Sequence, residues 1–184
     1  ILSDMGARIQ RLSRNTLQID CSPVHNTTAP IELVRRLRAS YYLLGVELGR
    51  FGHARVAKPG GCNFGGRPID QHIKGFAALG ANVEQADGYV CADAPEGGLQ
   101  GGHVYLDIVS VGATMNILLA AVLSNGMTVI ENCAKEPHIV DLANFLNAMG
   151  AKISGAGTDV IKVRGVKSLR GGFYSIIPDQ IEAG

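Results

Sequence analysis

Tryptophan is absent from this 184-residue chain, and aromatic residues make up only 5% of it. An interior built from such a sequence must be aliphatic, and a hydrophobic content of 46% is enough to fill one. Neither sign of charge dominates, since 17 basic and 16 acidic side chains leave a formal charge of +1. That balance removes any electrostatic case for nucleic acid or an anionic membrane as partner. The four cysteines, Cys21, Cys62, Cys91 and Cys133, are far apart and form no CxxC pair. A zinc knuckle or disulfide framework is thereby excluded, and a reducing, cytoplasmic setting is expected. The five histidines show no metal-ligand spacing either, so neither a metal nor a cofactor is expected. The most apolar run, residues 111–123, is interrupted by Thr114 and Asn116 and is too short to span a bilayer. No basic-then-apolar leader opens the chain, and both ends read as cut, so a piece of a longer protein is expected.

What the chain does contain is a repeat. Leu2-Ser3-Asp4-Met5-Gly6-Ala7-Arg8-Ile9 returns as Phe76-Ala77-Ala78-Leu79-Gly80-Ala81-Asn82-Val83, and again as Leu146-Asn147-Ala148-Met149-Gly150-Ala151-Lys152-Ile153. Each copy reads as a last helical turn, a glycine just past its end, then a strand. A short β-like run follows each, at 16–20, 89–92 and 160–163. Leu43-Leu44 leading to Gly52 matches Leu118-Leu119 leading to Gly126, and 98–107 echoes 169–179, where a last strand is expected. The period of about 70 residues suits a unit of two helices and about four strands, ordered strand, helix, strand, helix, strand, strand. Such units bury their apolar faces on one another, so a single α/β domain over 1–184 is expected, with its first repeat incomplete.

The other concentrated feature is Lys58-Pro59-Gly60-Gly61-Cys62-Asn63-Phe64-Gly65-Gly66-Arg67-Pro68. Two glycine pairs let the backbone turn sharply around one thiol, as in a surface loop that opens and closes. Lys58, Arg67 and a helix start near Pro68 all favour the thiolate, so Cys62 has the sequence surroundings of a reactive cysteine. The helix expected at about 68–79 offers its first N–H groups, with Arg67, to an anion. A long helix is expected after Asn26-Thr27-Thr28, with Leu33, Leu37, Tyr41, Leu44 and Leu48 on one face and Arg38 on its flank. Ser110 reads most simply as the cap of an apolar helix over 113–123, and His72 as structural.

These motifs resemble the enolpyruvyl transferase family over essentially the whole chain. The most specific are Leu37-Arg38-Ala39-Ser40, Pro59-Gly60-Gly61-Cys62 with Gly66-Arg67-Pro68-Ile69-Asp70, Val109-Ser110-Val111-Gly112-Ala113-Thr114, and Pro178-Asp179-Gln180-Ile181-Glu182. The family's shikimate-pathway branch lacks this cysteine loop, so the resemblance points to the branch acting on UDP-N-acetylglucosamine. It implies an inside-out α/β fold of two similar domains, helices within and sheets outside, with the active site in the cleft between them. The implied reaction moves the enolpyruvyl group of phosphoenolpyruvate to the 3′-hydroxyl of UDP-N-acetylglucosamine, the first committed step of peptidoglycan synthesis. Cys62 matches the proton donor that also forms an adduct with phosphoenolpyruvate and is alkylated by the antibiotic fosfomycin. Arg67 matches an arginine at the ligands' phosphate or carboxylate. Arg38, Pro68, Ile69, Asp70, Gln71, Val109, Ser110 and Val111 match positions beside the nucleotide. Relatives often carry lysine where this chain has Ile108. The family's amino-terminal Lys-Asn pair, its general-base aspartate and a second-domain arginine have no counterpart here. The resemblance therefore implies one domain of a two-domain transferase, inactive alone; the competing reading is a non-catalytic nucleotide-sugar binder on the same fold.

Overall fold

In the computed structural model of the chain, residues 1–58, 69–179 and 182 are described. The repeat is visible first in the backbone. Gly6, Gly80 and Gly150 all take positive φ, at 106°, 84° and 100°. The next amide, of Ala7, Ala81 or Ala151, reaches back to the carbonyl of Leu2, Phe76 or Leu146 at 2.9, 3.0 and 3.0 Å. This is one Schellman closure made three times, and a residue without Cβ adopts its left-handed step at no steric cost.

Each closure launches a hairpin: β1 (Arg8–Ser13) with β2 (Thr16–Asp20), β4 (Asn82–Ala86) with β5 (Tyr89–Asp93), and β8 (Lys152–Ser154) with β9 (Val160–Arg164). In the second and third copies the hairpin's later strand also pairs antiparallel with an earlier one, β3 (His53–Ala57) or β7 (Met127–Glu131). β6 (His103–Tyr105) joins β7 in parallel, giving sheets ordered β3-β5-β4 and β6-β7-β9-β8. The helices are α1 (Ile31–Val34), α2 (Tyr42–Phe51), α3 (Asp70–Ala78), α4 (Val111–Ala121) and α5 (Pro137–Ala148). The third copy, β6-α4-β7-α5-β8-β9, has the expected order.

α4 is the inner element, in contact with α2, α3, α5 and β9. Ala113, Ile117, Leu118, Ala120 and Ala121 are all buried and no residue of α4 is exposed, the pattern of a helix packed into the core. Its polar residues are satisfied within the core: Asn116 donates to the Gly112 carbonyl at 3.0 Å and accepts from the Gly45 amide at 2.9 Å. A Cβ on Gly45 would lie 2.3 Å from the Asn116 carbonyl oxygen, so α2 meets α4 backbone to backbone. Burying a side chain such as Ile117 or Leu118 contributes about 1.5–3 kcal/mol. Glycine inside a helix costs about 1 kcal/mol, so the close contact prevails. Among the described residues, no helix is long and apolar enough to cross a membrane.

Two expectations are corrected. The helix expected after Thr28 is interrupted: α1 ends at Val34, Leu37 is extended at φ −124° and ψ 106°, and a 3₁₀ turn, Arg38–Tyr41, leads into α2. Ser40 holds the break, its hydroxyl directed to the carbonyls of Val34 at 3.2 Å and Leu37 at 2.5 Å. Such local bonds compete with the helical ladder, and Leu37 is left 51% exposed. Similarly, no strand forms over 173–177, where Phe173 and Ile176 are exposed. Its counterpart β6 is held by β7, and no described strand lies beside 173–177 to do the same.

Two outcomes are expected from this core. Gly45→Ala forces α2 away from α4 and lowers the urea-denaturation free energy by about 1–3 kcal/mol, with little change in m-value. Glu47 is buried without a hydrogen-bond partner among the described residues. Burial, only partly offset by the nearby Arg55 backbone N–H, raises its carboxyl from 4.5 to about 8. The folded state then keeps a proton that the unfolded chain has lost, and stability declines as pH rises between those values. Glu47→Gln removes that loss, so its stability relative to the parent rises with pH, by about 1 kcal/mol per unit within that window.

Candidate functional site

Three chain segments converge where the helical core reaches the surface. The 3₁₀ turn brings Arg38, Ala39 and Tyr41, and the first residue of α2 brings Tyr42; the start of α3 brings Ile69, Gln71 and His72; the approach to α4 brings Ile108, Val109, Ser110, Val111 and Gly112, with Asn116 one turn deeper. Together they line a cavity of about 550 Å³, the size of a small-molecule site. The helix break is what places Arg38 here, since a continuous helix would have carried it along a flank.

Local chemistry fixes each wall. Ser110 is extended at φ −137° and ψ 115°, and its Oγ accepts from the Ala113 amide at 3.3 Å. It is thus the cap expected from sequence, although α4 begins at Val111 rather than at residue 113. Thr114 Oγ1 donates to the Ser110 carbonyl at 2.8 Å and accepts from the Ala134 amide at 3.2 Å. The cavity therefore faces the positive end of an 11-residue helix. Arg38 is the one formal charge among the described lining residues, so the site favours an anion.

His72 is 93% buried by its exposure of 7%, and its Nδ1 has no hydrogen-bond partner among the described residues. Burial, opposed by nearby Asp70 and reinforced by Arg38, lowers it from 6.5 to about 4, so the ring is neutral at pH 7. It packs 5.8 Å from the Tyr41 ring, and a Cβ on Gly112 would meet its Nε2 at 3.1 Å. Burial also raises the Tyr41 phenol to about 12, against the Arg38 charge.

Of the residues singled out in the sequence, Arg38, Ile69, Gln71, Val109, Ser110 and Val111 meet on this cavity. Asp70 is the exposed first residue of α3 and lies off the wall, accepting from Gln71 Nε2 at 3.0 Å. Cys62, Arg67 and Pro68 lie outside the described residues. Tyr41, Tyr42, His72 and Asn116 were not foreseen as lining. Tyr41 carries a core-face spacing and His72 a structural one; only their neighbours Arg38 and Gln71 could have flagged them. Cys133 is buried, and burial pushes its thiol to about 11, which makes it unreactive.

A family model described as EPSP synthase (3-phosphoshikimate 1-carboxyvinyltransferase) matches residues 1–184. The chain belongs to the EPSP synthase family. Within it, the chain is 60% identical over 184 residues to UDP-N-acetylglucosamine 1-carboxyvinyltransferase of Clostridium botulinum, covering 100% of this chain and 44% of that protein. It is 54% identical over 184 residues to UDP-N-acetylglucosamine 1-carboxyvinyltransferase 3 of Caldanaerobacter subterraneus, covering 100% of this chain and 43% of that one. The crystal structure of the enolpyruvyl transferase NikO from Streptomyces tendae superimposes with a TM-score of 0.79 at 26% identity, over 100% of this chain and 43% of that one. An EPSP synthase of Acinetobacter baumannii shares the fold at a TM-score of 0.66 and 20% identity, over 92% of this chain and 38% of that one. This member of the EPSP synthase family thus spans less than half the length of the relatives it matches.

The neutral imidazole gives a direct check. By NMR, the His72 ring protons are expected to keep their chemical shifts from pH 8 down to 5.5. Because the unfolded chain protonates first, stability falls as pH drops from 6.5 toward 4. A ring titrating with its midpoint near 6.5 would contradict the geometry.

Proposed function

We propose that this chain belongs to an enzyme that transfers the enolpyruvyl group of phosphoenolpyruvate to the 3′-hydroxyl of UDP-N-acetylglucosamine, and that it forms the cysteine-bearing domain. The observation that carries this reading is one anion-favouring cavity gathering Arg38, Ile69, Gln71, Val109, Ser110 and Val111, in a chain 60% identical to a transferase named for that reaction. A nucleotide sugar brings a diphosphate, which suits Arg38 and the start of α4, and a planar base, which suits apolar walls.

The chemistry is addition followed by elimination. The sugar hydroxyl gives up its proton as its oxygen bonds to C2 of phosphoenolpyruvate, and C3 gains a proton, giving a tetrahedral adduct that still bears phosphate. Loss of phosphate from C2 and of a proton from C3 then restores the double bond in the enolpyruvyl ether. Cys62 is assigned the proton delivered to C3, and its sequence neighbours Lys58 and Arg67 favour a low thiol pKa. Arg67 is assigned the phosphate or carboxylate, which a planar guanidinium grips with two bonds. Transition-state charge must be met from both sides of a cleft. The 184-residue piece is accordingly expected to be inactive without the remainder of the enzyme. A cytoplasmic location goes with these substrates and with the free thiols Cys21, Cys91 and Cys133.

In the complete protein, phosphate release is expected only when both substrates are present. Cys62→Ala should slow it roughly 10²–10⁴-fold, the usual worth of a positioned acid. Fosfomycin should leave a single adduct on Cys62, whereas Cys62→Asp should retain turnover and escape alkylation. Binding of UDP-N-acetylglucosamine without phosphate release would instead identify a non-catalytic binder.

A further inference from the structure

Among the described residues, the hydrogen bonds that join α3 to the loop on the cavity's other side run through a single residue, Asp107. The loop from Leu106 to Ser110 has three anchors. At its start, buried Leu106 donates to the Glu131 carbonyl at 3.1 Å and accepts from Asn132 Nδ2 at 2.8 Å. At its end, Ser110 caps α4. Neither anchor involves the facing wall. Asp107 does: its amide donates to Gln71 Oε1 at 2.9 Å, Gln71 Nε2 donates to its Oδ2 at 3.2 Å, and Lys74 Nζ donates to its Oδ1 at 2.6 Å. Among the described residues, the hydrogen bonds between α3 and this loop all run through it.

The Gln71 amide is 96% buried by its 4% exposure, and its orientation is settled because a backbone N–H can only donate. Its two N–H groups are taken by Asp70 and Asp107, and one lone pair of its oxygen by the Asp107 amide. What remains for a ligand is one lone pair. The side chain that the family resemblance matches to a position beside the nucleotide is occupied in holding the protein together. Beyond the clasp, Ile108 and Val109 stand 56% and 58% exposed, and among the described residues no hydrogen bond other than those of Asp107 ties this loop to α3.

We propose that Gln71 is a positioning residue: it acts on nucleotide-sugar binding through Asp107, by holding the Ile108–Val109 wall at the spacing the ligand needs. This deepens the functional reading above and rests on it. Lys74 is a lesser partner, since an exposed ion pair is worth little beside a buried amide bonded twice.

The test is a double-mutant cycle in the complete protein, read by calorimetric titration with UDP-N-acetylglucosamine and by steady-state kinetics. Gln71→Leu and Asp107→Ala are each expected to weaken binding roughly five- to tenfold, as loss of this clasp implies. Both remove the Gln71 Nε2–Asp107 Oδ2 bond, while the bond from the Asp107 amide is lost only in Gln71→Leu and the Lys74 bond only in Asp107→Ala, so the double variant should lose less than the sum of the two single losses. KM for the nucleotide sugar should rise in step, with kcat and the KM for phosphoenolpyruvate within about twofold. Exchange of the Asp107 amide should quicken at least roughly tenfold in Gln71→Leu. Additive losses, or unchanged binding in Gln71→Leu with the fold intact, would overturn the proposal. Parent protein that failed to bind the nucleotide sugar would overturn the functional reading instead, while amide exchange would still show whether the clasp exists.

Discussion

A helix packed into the core is the constraint from which the rest of this structure follows. No residue of α4 is exposed and only its face of Val111, Gly112, Met115 and Leu119 is half-buried, so its neighbours must come close and its buried polar groups must find partners inside. Gly45 meets the first requirement by letting α2 lie against the α4 backbone. Asn116 meets the second, spending its side chain on Gly112 and on Gly45 at the same contact. The sheets β3-β5-β4 and β6-β7-β9-β8 lie outside the helices, while the β1-β2 hairpin is exposed on both faces.

The same constraint produces the cavity. A buried helix must surface somewhere, and α4 does so at its N-terminus, where backbone N–H groups have no partner within the helix. Around that end stand an arginine on a 3₁₀ turn and an imidazole kept neutral by burial. Positive character therefore comes from Arg38 and the helix end, while the deeper wall stays uncharged. That division suits a ligand with an anionic part and a planar, weakly polar part.

Much of this was legible in the residues. The glycines at 6, 80 and 150 announce three identical helix endings, and the structure closes all three with the same hydrogen bond. Ser110 reads as a cap and is one. The helix after Thr28 misled because apolar spacing is continuous through Leu37, while the Ser40 hydroxyl that breaks it acts over three and six residues. The apparent strand over 173–177 misled for another reason: a strand's existence depends on a partner, which local pattern cannot supply.

The sequence by itself determined the repeat, the glycine closures, the Ser110 cap and the aliphatic core. These are matters of local backbone preference and side-chain type, which each segment carries with it. Only the tertiary structure decided that Gln71 faces Asp107 rather than open space, that His72 is neutral, and that Arg38, itself exposed, borders the cavity. Those outcomes depend on burial and on bonds between segments tens of residues apart, and no stretch of sequence contains its own neighbours.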